Sequence, residues 1–200
     1  MAELLGPYAP VSEALALKFC VYLDLLLRWN AKTNLTAVRS PREIIQTHFG
    51  ESLFAARHLP EGVASLLDFG SGAGFPGLPI LMARPDLDMT LAESQGKKSA
   101  FLREAVRTLA LPAKVYAGRV EDLPATALFS AVTLRAVDKM AEVVPAAVRR
   151  ISPGGWLVIL TSVAQESTLQ QMASTLRWQS GIQIPNSDQR VLLIAQRPQP

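Results

Sequence analysis

The chain has 200 residues, of which 49% are hydrophobic and 18% are charged. This composition excludes a disordered protein and predicts one compact unit that can bury a sizeable core. The net charge of +3 permits an anionic partner but does not require one. Because the chain has one cysteine, Cys20, and two histidines, the sequence excludes an internal disulfide and predicts no bound metal.

The N-terminal region contains an apolar segment, residues 12–30, that is interrupted by charged residues. These interruptions are too frequent for a membrane span of about twenty apolar residues, so the segment is expected to be a helix that buries one face. Ser12 is its expected N-cap. Asp24 and Arg28 lie four residues apart and are expected to pair on its exposed side.

A second helix is predicted to begin after Ser40, the expected N-cap, with Pro41 at its first position and Glu43 three residues after the cap. It should end near Arg57. The polar segment 30–36 lies between the two helices, and two interpretations of it stay open. It is either a loop that faces substrate or a connector whose side chains satisfy its own backbone.

After residue 62 the sequence alternates short apolar runs with helical segments, which is typical of βαβ units and a mostly parallel sheet. The best predicted helix covers residues 97–110, with one apolar and one charged face. Pro145 predicts a kinked or split helix in the segment after Asp138. Five strands are predicted, at residues 65–69, 88–92, 113–117, 129–134 and 155–161.

Two further apolar runs, residues 181–184 and 190–195, flank a polar turn at 185–188. They predict a C-terminal hairpin that adds an antiparallel edge to the parallel sheet. The fold class is therefore α/β, with seven strands in a mostly parallel sheet. We expect residues 1–62 to form a helical extension and residues 63–200 to form the sheet domain, together making one compact unit.

The stretch Ser65–Gly77 places an acid and a glycine-rich turn between a strand and a helix. Gly70, Gly72 and Gly74 permit positive φ and leave no Cβ, so the backbone N–H groups can approach a ligand at the helix N-terminus. Pro76 suits the first helical turn. This pattern predicts a site for a nucleotide-type cofactor.

The glycine turn alone does not identify the cofactor, because residues 72–77 also match the dinucleotide fingerprint G-x-G-x-x-G. Asp68 and the C-terminal hairpin favour S-adenosylmethionine. A carboxylate at Asp68 can bind a cationic amino group, directly or through water, but would repel a pyrophosphate. Glu93, after the second strand, is predicted to bind ribose hydroxyls. Val120 and Glu121 are predicted to contact adenine. The alternative for Glu93 and Glu121 is that each is a solvated charge at a strand end.

Specific sequence elements extend over nearly the whole chain and are similar to a known family. They are Arg28-Trp29-Asn30, Asn34–Arg39, Asp68–Gly77, Gly96-Lys97-Lys98, Arg119-Val120-Glu121, Arg135-Ala136 and Arg190. The chain resembles the bacterial 16S ribosomal RNA guanine-N7 methyltransferases once called glucose-inhibited division protein B. The early Trp-Asn and Asn-Leu-Thr elements are the specific part, since glycine loops occur in all methyltransferases. The resemblance implies a Rossmann-like class I methyltransferase fold.

The resemblance also implies S-adenosylmethionine as the cofactor and a set of residues that contact it. With the glycine-loop residues, the predicted cofactor site is Asp68, Gly70, Gly72, Gly74, Phe75, Glu93, Ser94, Gln95, Val120, Glu121 and Arg135. Two places depart from the family pattern. The family usually has the pattern His-x-Leu-Asp-Ser, and here Gly50 and Glu51 occupy the positions of its leucine and aspartate. Thr161 occupies the position of a lysine that could touch substrate or RNA.

The implied reaction needs little from acid or base groups. Guanine N7 carries a lone pair and no proton, so alignment and desolvation should provide most of the catalysis. The sequence lacks an Asn/Asp-Pro-Pro-aromatic motif for an exocyclic amine, and Cys20 lies in the N-terminal helix. Arg135 is a candidate catalytic residue that could bind guanine O6, the cofactor carboxylate or a phosphate; the alternative is a surface ion pair. His48 is a second candidate, or else a satisfied histidine between helices.

Five basic residues are predicted to contact RNA, and they are Arg39, Arg42, Lys97, Lys98 and Arg190. Lys97 and Lys98 open a helix, where the helix dipole mildly disfavours cations, so a phosphate is their expected partner. Arg190 could equally be an edge-strand charge that discourages aggregation.

The expected partner is 16S ribosomal RNA or the small ribosomal subunit. Residues 1–10 lack the pattern of a signal peptide, so we expect a cytoplasmic protein. We also expect a monomer with no membrane association and no obligate protein partner. The alternatives are a small-molecule methyltransferase, a non-catalytic RNA-binding or assembly protein on the same fold and, more remotely, a dinucleotide oxidoreductase.

Overall fold

The computed structural model describes residues 1–135 and 140–199. They form an α/β structure around an eight-stranded sheet. The strands are β1 Ser65–Phe69, β2 Asp88–Ala92, β3 Ala113–Tyr116, β4 Phe129–Arg135, β5 Ile151–Ser162, β6 Arg177–Trp178, β7 Ile182–Gln183 and β8 Arg190–Gln196. Their order in the sheet is β3-β2-β1-β4-β5-β8-β6, and β7 also pairs with β8. Strands β1 to β5 pair in parallel, whereas β8 is antiparallel to β5, β6 and β7.

Helices cover both faces of this sheet. They are α1 Ala2–Leu5, α2 Glu13–Asn30, α3 Pro41–Glu43, α4 Glu51–Arg57, α5 Gly77–Ala83, α6 Gly96–Thr108, α7 Met140–Arg149 and α8 Glu166–Met172. A π-helix, Ile44–Gly50, joins α3 to α4, and two short 3₁₀ turns cover Val120–Asp122 and Val163–Gln165. Within the described residues, no helix has the length and apolar character needed to cross a membrane.

The predicted parallel strands and the C-terminal hairpin are confirmed, but the predicted count of seven strands is wrong. The outer strand of the hairpin is short, and a separate segment, β6, pairs with the other end of β8. Strand β5 begins at Ile151, four residues earlier than predicted, because Gly154 adopts a φ of +77° that lets the Pro-Gly-Gly segment stay in the strand.

The two N-terminal helix starts are confirmed. The Ser12 hydroxyl accepts a hydrogen bond from the Leu15 N–H at 3.2 Å, and Ser40 accepts one from the Glu43 N–H at 3.5 Å. The predicted ion pair on α2 is wrong, because Arg28 Nε donates to the backbone carbonyl of Asp24 instead of its carboxylate, at 3.4 Å.

Two other helix predictions have different outcomes. Helix α6 is confirmed, with Phe101, Leu102 and Ala105 buried on its apolar face. Helix α7 runs unbroken over Met140–Arg149 with Pro145 inside it, so a split at this proline is wrong, while a kink there stays a prediction. Asp138, which preceded the predicted split, lies outside the described residues.

The core forms two layers because side chains alternate across the sheet. Leu66 packs with the layer under α2, α4, α5 and α6, and Leu67 packs with the layer under α7 and α8. The first layer contains apolar side chains from the N-terminal extension and from the sheet, including Phe19 and Leu192. The extension therefore shares its core with the sheet, while the boundary at residue 62 stays a prediction.

Candidate active site

The glycine loop turns tightly between β1 and α5. Gly70, Gly72 and Gly74 all have positive φ, at 71°, 55° and 88°. Gly74 has the strictest requirement, because a Cβ there would overlap the Tyr22 hydroxyl and the Leu78 side chain. Pro76 stands at the N-cap of α5, one position before the predicted place in the first turn. The loop therefore has the predicted conformation, and it aims a helix start at the carboxyl edge of the sheet.

A cavity of about 460 Å³ lies beside this loop, at the carboxyl ends of β1 and β2. Six predicted cofactor residues line it: Gly70, Glu93, Ser94, Gln95, Val120 and Glu121. The cavity is also lined by Phe69, Ala92, Lys98, Gly118, Arg119, Glu142 and Val143. Its size lies within the range of small-molecule sites. Glu142 and Val143 belong to α7, whose start follows β4, so topology placed them at this edge although no motif marked them.

Glu93 joins two loops at the base of the cavity. Its Oε2 accepts a hydrogen bond from the Gly72 N–H at 2.9 Å, and its Oε1 accepts one from the Gln95 N–H at 2.7 Å. The residue is only 6% exposed, so the alternative of a solvated strand-end charge is wrong for Glu93. A carboxylate has about four acceptor positions, so two remain for a ligand. Glu121, by contrast, is exposed.

Asp68 lies beneath the loop and does not line the cavity. Its Oδ2 accepts a hydrogen bond from the Gly77 N–H at 3.1 Å, and its Oδ1 accepts one from the Thr133 hydroxyl at 2.9 Å. The residue is 1% exposed, and this burial raises the pKa of its carboxyl to about 6, against the effect of those hydrogen bonds. In this structure Asp68 fixes the start of α5, and its contact with a cofactor stays a prediction.

Aromatic residues of the N-terminal extension support the loop from below. The Tyr22 hydroxyl donates a hydrogen bond to the Ala73 carbonyl, and its ring stacks on Phe75 with centroids 5.4 Å apart. The Phe49 ring lies 5.5 Å from the same Phe75 ring. Phe75 is therefore buried on the protein side of the loop, and its contact with a cofactor stays a prediction. Sequence reasoning missed Tyr22 because no local pattern distinguishes it from other core residues of α2.

A buried polar network lies at the end of β4. Arg135 donates through Nη1 to His48 Nδ1 at 2.9 Å, and through Nη2 to the Thr47 carbonyl at 2.9 Å and Glu51 Oε2 at 3.2 Å. Arg190 Nη2 donates to the same Glu51 Oε2 at 2.9 Å. Because the side chain of Arg135 is only 10% exposed, the alternative of a surface ion pair is wrong; the ion pair is internal.

The network determines the proton position on His48. An arginine side chain can only donate hydrogen bonds, so Nδ1 of His48 must accept and Nε2 must carry the proton. Nε2–H then donates to the Thr36 hydroxyl at 2.8 Å. Burial lowers the pKa of His48 to about 3, and the charges of Arg135 and Arg190 act in the same direction. His48 is therefore a satisfied, neutral histidine between the extension and the sheet.

The segment 30–36 satisfies its own polar groups. Asn30 Oδ1 accepts hydrogen bonds from the N–H groups of Leu35 and Thr36, and Asn30 Nδ2 donates to the Thr36 carbonyl at 3.1 Å. Arg39 donates to the Asn30 carbonyl and to Asn34 Oδ1 at 3.0 and 2.8 Å. These contacts favour the interpretation as a connector, one that positions Thr36 for His48.

Both departures from the family pattern have local explanations. A Cβ at Gly50 would overlap the ring of Tyr8, so Tyr8 occupies the space that a leucine would fill. The side chain of Glu51 is long enough to accept hydrogen bonds from both Arg135 and Arg190. Thr161 is buried and donates to Gln165 Oε1 at 2.5 Å, which replaces a charged group with a neutral contact.

The five predicted RNA contacts do not form one group. Arg39, Arg42 and Lys97 are exposed, whereas Lys98 lines the cavity beside the glycine loop. Arg190 belongs to the buried network, and β8 is paired on both sides, so the alternative of an edge-strand charge is wrong. No group of three or more metal-binding side chains is found within residues 1–135 and 140–199.

Comparison with known proteins gives one consistent family. The model of the GidB family, rRNA small subunit methyltransferase G, matches residues 16–188. Ribosomal RNA small subunit methyltransferase G of Xanthomonas campestris pv. campestris strain 8004 is 38% identical over 172 residues, which cover 84% of this chain and 79% of the relative. The protein of the same name from Xanthomonas oryzae pv. oryzae strain MAFF 311018 is 36% identical over 191 residues, covering 94% and 89%.

A solved structure supports the fold. N-methyltransferase NodS from Bradyrhizobium japonicum WM9, in complex with S-adenosyl-L-homocysteine, superimposes with a TM-score of 0.62 over 88% of this chain and 99% of that chain. At 14% identity this likeness shows the fold alone, and it confirms the predicted class I methyltransferase fold. The family match spans most of the chain and agrees with the predicted resemblance, so this chain belongs to the rRNA small subunit methyltransferase G (GidB) family.

Proposed function

We propose that this protein transfers the methyl group of S-adenosylmethionine to N7 of a guanine in 16S ribosomal RNA. The single observation that carries the proposal is the cavity of about 460 Å³, formed by the glycine loop and Glu93 in a chain of this family. Its position outside the carboxyl ends of the strands is where open α/β sheets bind ligands.

The residues around the cavity fit this cofactor. Glu93 keeps acceptor positions for ribose hydroxyls, and Glu121 and the backbone of Val120 are suited to the adenine edge. Ser94 and Gln95 add polar groups at the rim. When bound, the cofactor would supply an electrophilic methyl group on a sulfonium.

The protein needs no general base for this reaction, because guanine N7 attacks through a lone pair and releases no proton. His48 agrees with this mechanism. Its Nδ1 already accepts a hydrogen bond from Arg135, and burial lowers its pKa to about 3, so it does not accept a proton near neutral pH. The chain's contribution is alignment of the base with the methyl group and exclusion of water.

Three alternative ligands remain proposed for Arg135: guanine O6, the cofactor carboxylate or a phosphate. Its Nε is buried and has no hydrogen-bond partner among the described residues. A buried donor without a partner is costly, so a ligand atom that accepts from Nε would stabilise the bound state. His48 and Glu51 would act by holding the guanidinium in place.

The proposed RNA surface includes the exposed residues Arg39, Arg42 and Lys97, with Lys98 at the cavity. Arg190 would act through Glu51 and Arg135. The RNA would be bound within the small ribosomal subunit or as naked 16S RNA. We further propose a cytoplasmic monomer without an obligate protein partner.

The test is methyl transfer from labelled S-adenosylmethionine to 16S RNA, both naked and within the small subunit, followed by mapping of the modified base. We expect label at a guanine. The RNA chain should break at that guanine under cleavage chemistry that is specific for N7-methylguanine. Cofactor binding without label on any RNA would favour a small-molecule methyltransferase. Absence of cofactor binding in calorimetry would favour a non-catalytic RNA-binding protein.

A variant of the loop tests the cofactor site separately. Gly72 has a φ of 55°, and a Cβ added there would meet the Gly70 carbonyl oxygen at an ordinary contact distance of 3.8 Å, so Gly72→Asn should fold and bind cofactor. Gly72→Asp has nearly the same shape but adds a negative charge beside Glu93, and it should abolish binding. Equal affinities for the two variants would show that the cofactor lies elsewhere.

A further inference from the structure

A second cavity, of about 630 Å³, lies at the opposite edge of the sheet from the glycine loop. Its lining includes Ala125, which precedes β4, Arg150, which precedes β5, and Arg197, which follows the antiparallel β8. All three positions are at the amino ends of the parallel strands. The cavity is therefore separated from the methyl-transfer site by the length of β4, roughly 20 Å at 3.3 Å per residue.

Arginine dominates the charge of this cavity. Arg149, Arg150 and Arg197 line it, and no aspartate or glutamate does within residues 1–135 and 140–199. None of the three takes part in an ion pair among the described residues. Uncompensated arginines around one concavity attract anions, and the guanidinium fork matches the oxygens of a phosphate.

Two of these guanidinium groups are held in place by backbone carbonyls. Arg150 donates to the carbonyls of Glu121, Leu123 and Pro124 at 3.2, 2.8 and 2.6 Å. Arg197 Nη1 donates to the Ile151 carbonyl at 2.5 Å. Carbonyls fix orientation without cancelling charge, so these cations are already positioned for a ligand. Arg149 is exposed and free to adapt.

We propose that this cavity binds phosphates of the ribosomal RNA backbone, as a second contact far from the modified base. The inference rests on the proposed function, because the substrate RNA is the polyanion that this protein would meet. In the part of the chain that the structure describes, the lining carries no aromatic side chain on which a base could stack, so the contact should position the RNA without reading its sequence.

The test measures binding of catalytically unaltered protein to naked 16S RNA across a range of salt concentrations. Arg149→Glu changes an exposed side chain and should leave the fold intact. We expect its affinity to fall about tenfold at 0.1 M salt, with a salt slope smaller by about 1 for each lost phosphate contact. Arg150 is unsuitable for this test because it also holds the turn that contains Glu121.

The matched control is Arg107→Glu, which makes the same charge change at an exposed residue near the end of α6 and lines none of the cavities above. It should change RNA affinity less than about twofold, and both variants should bind S-adenosylmethionine like the parent. Equal effects of the two variants on affinity and salt slope would overturn the proposal. Weaker binding to the small subunit with unchanged binding to naked RNA would also overturn it, in favour of a ribosomal protein partner.

Failure of this proposal and failure of the proposed function have different signatures. If the parent protein labels no RNA but Arg149→Glu still reduces the salt slope, the phosphate site stands without the methyl transfer. If the parent methylates RNA and Arg149→Glu does so with unchanged RNA affinity and slope, the function stands and the second contact does not.

Discussion

The proposed cofactor cavity and the buried network at the end of β4 are built in different ways. The cavity is lined by residues of several loops at the edge of the sheet, and Glu93, which joins two of these loops, still has acceptor positions free. The network consists mainly of charged side chains that bond to one another, and Glu51 accepts hydrogen bonds from both Arg135 and Arg190. The cavity has acceptor positions free for a ligand, whereas the polar groups of the network mostly bond to each other and leave Arg135 Nε without a partner among the described residues.

The two regions also differ in the sequence elements that build them. The glycine loop comes from a short local pattern that is not specific to one kind of nucleotide-type cofactor. The network joins the elements that carried the family resemblance, from Asn30 and Thr36 through His48 to Arg135. Residues of the extension therefore hold Arg135 at the end of β4 through contacts inside the protein.

The largest expected effect comes from removing the shared charge of the network. Glu51→Gln leaves the buried Arg135 and the partly buried Arg190 without their carboxylate, and it should lower the free energy of unfolding by about 3–5 kcal/mol. Urea unfolding monitored by circular dichroism measures this loss. Glu51→Asp keeps the charge and should lose less than half as much, while Glu61→Gln, at an exposed site, should change stability by less than about 0.5 kcal/mol. Equal losses for Glu51→Gln and Glu51→Asp would contradict the electrostatic explanation.

The next largest effect tests the backbone of the cavity. Gly74→Ala must adopt a φ of 88° and would push a methyl group into Tyr22 and Leu78, so it should destabilise the protein by about 2–4 kcal/mol. Gly62→Ala is the matched control, since Gly62 has a φ of 77° with no atom within 4 Å of a new Cβ. It should cost about 1 kcal/mol. If the two variants are equally stable in urea, the loop relaxes and the contact from Tyr22 does not constrain it.

The two regions were not equally predictable from the sequence. The glycine loop, the parallel strands and α6 follow from local patterns: turn residues, apolar runs and helical periodicity. The network depends on tertiary contacts between residues such as Thr36, Glu51 and Arg190, which no local pattern connects. The sequence predicts that Asp68 binds the cofactor, but it could not show that this carboxylate is buried beneath the loop, where it accepts a hydrogen bond from the Gly77 N–H. A residue type at a motif position indicates chemistry, but only packing determines the direction of its side chain.

A third prediction concerns how stability depends on pH, through His48 in the network and Asp68 beneath the glycine loop. His48 has a folded pKa of about 3, below the ordinary value of 6.5, so its contribution to stability is lost as pH falls below 6.5. Asp68 has a folded pKa of about 6, above the ordinary value of 3.8, so its contribution is lost as pH rises from 3.8 to 6. Between about pH 4 and 6 the two dependences oppose each other, each by up to about 1.4 kcal/mol per pH unit.

Two variants expose these opposing effects. Asp68→Asn can keep both hydrogen bonds, and it should make stability rise more steeply with pH than in the parent protein. His48→Gln should make stability rise less steeply, or fall, over the same interval. Urea midpoints at about pH 4.5, 5.25 and 6 measure the slopes, and other carboxylates contribute equally to all three proteins. Parallel slopes in all three would contradict both pKa shifts.

The smallest expected effect on stability comes from a change at Glu121, on the exposed side of the cavity. Glu121 is exposed, and its backbone carbonyl is held by Arg150 Nη2 at 3.2 Å, so truncating its side chain should leave the 3₁₀ turn in place. Glu121→Ala should change the free energy of unfolding by less than about 0.5 kcal/mol. It should nevertheless weaken S-adenosylmethionine binding about fivefold to tenfold in calorimetry, because one acceptor for adenine is removed. The adjacent Asp122→Ala is the control, since Asp122 is exposed and does not line the cavity. Equal affinities for the two variants would show that adenine does not contact the side chain of Glu121, and the other residues that line the cavity would then have to bind the cofactor.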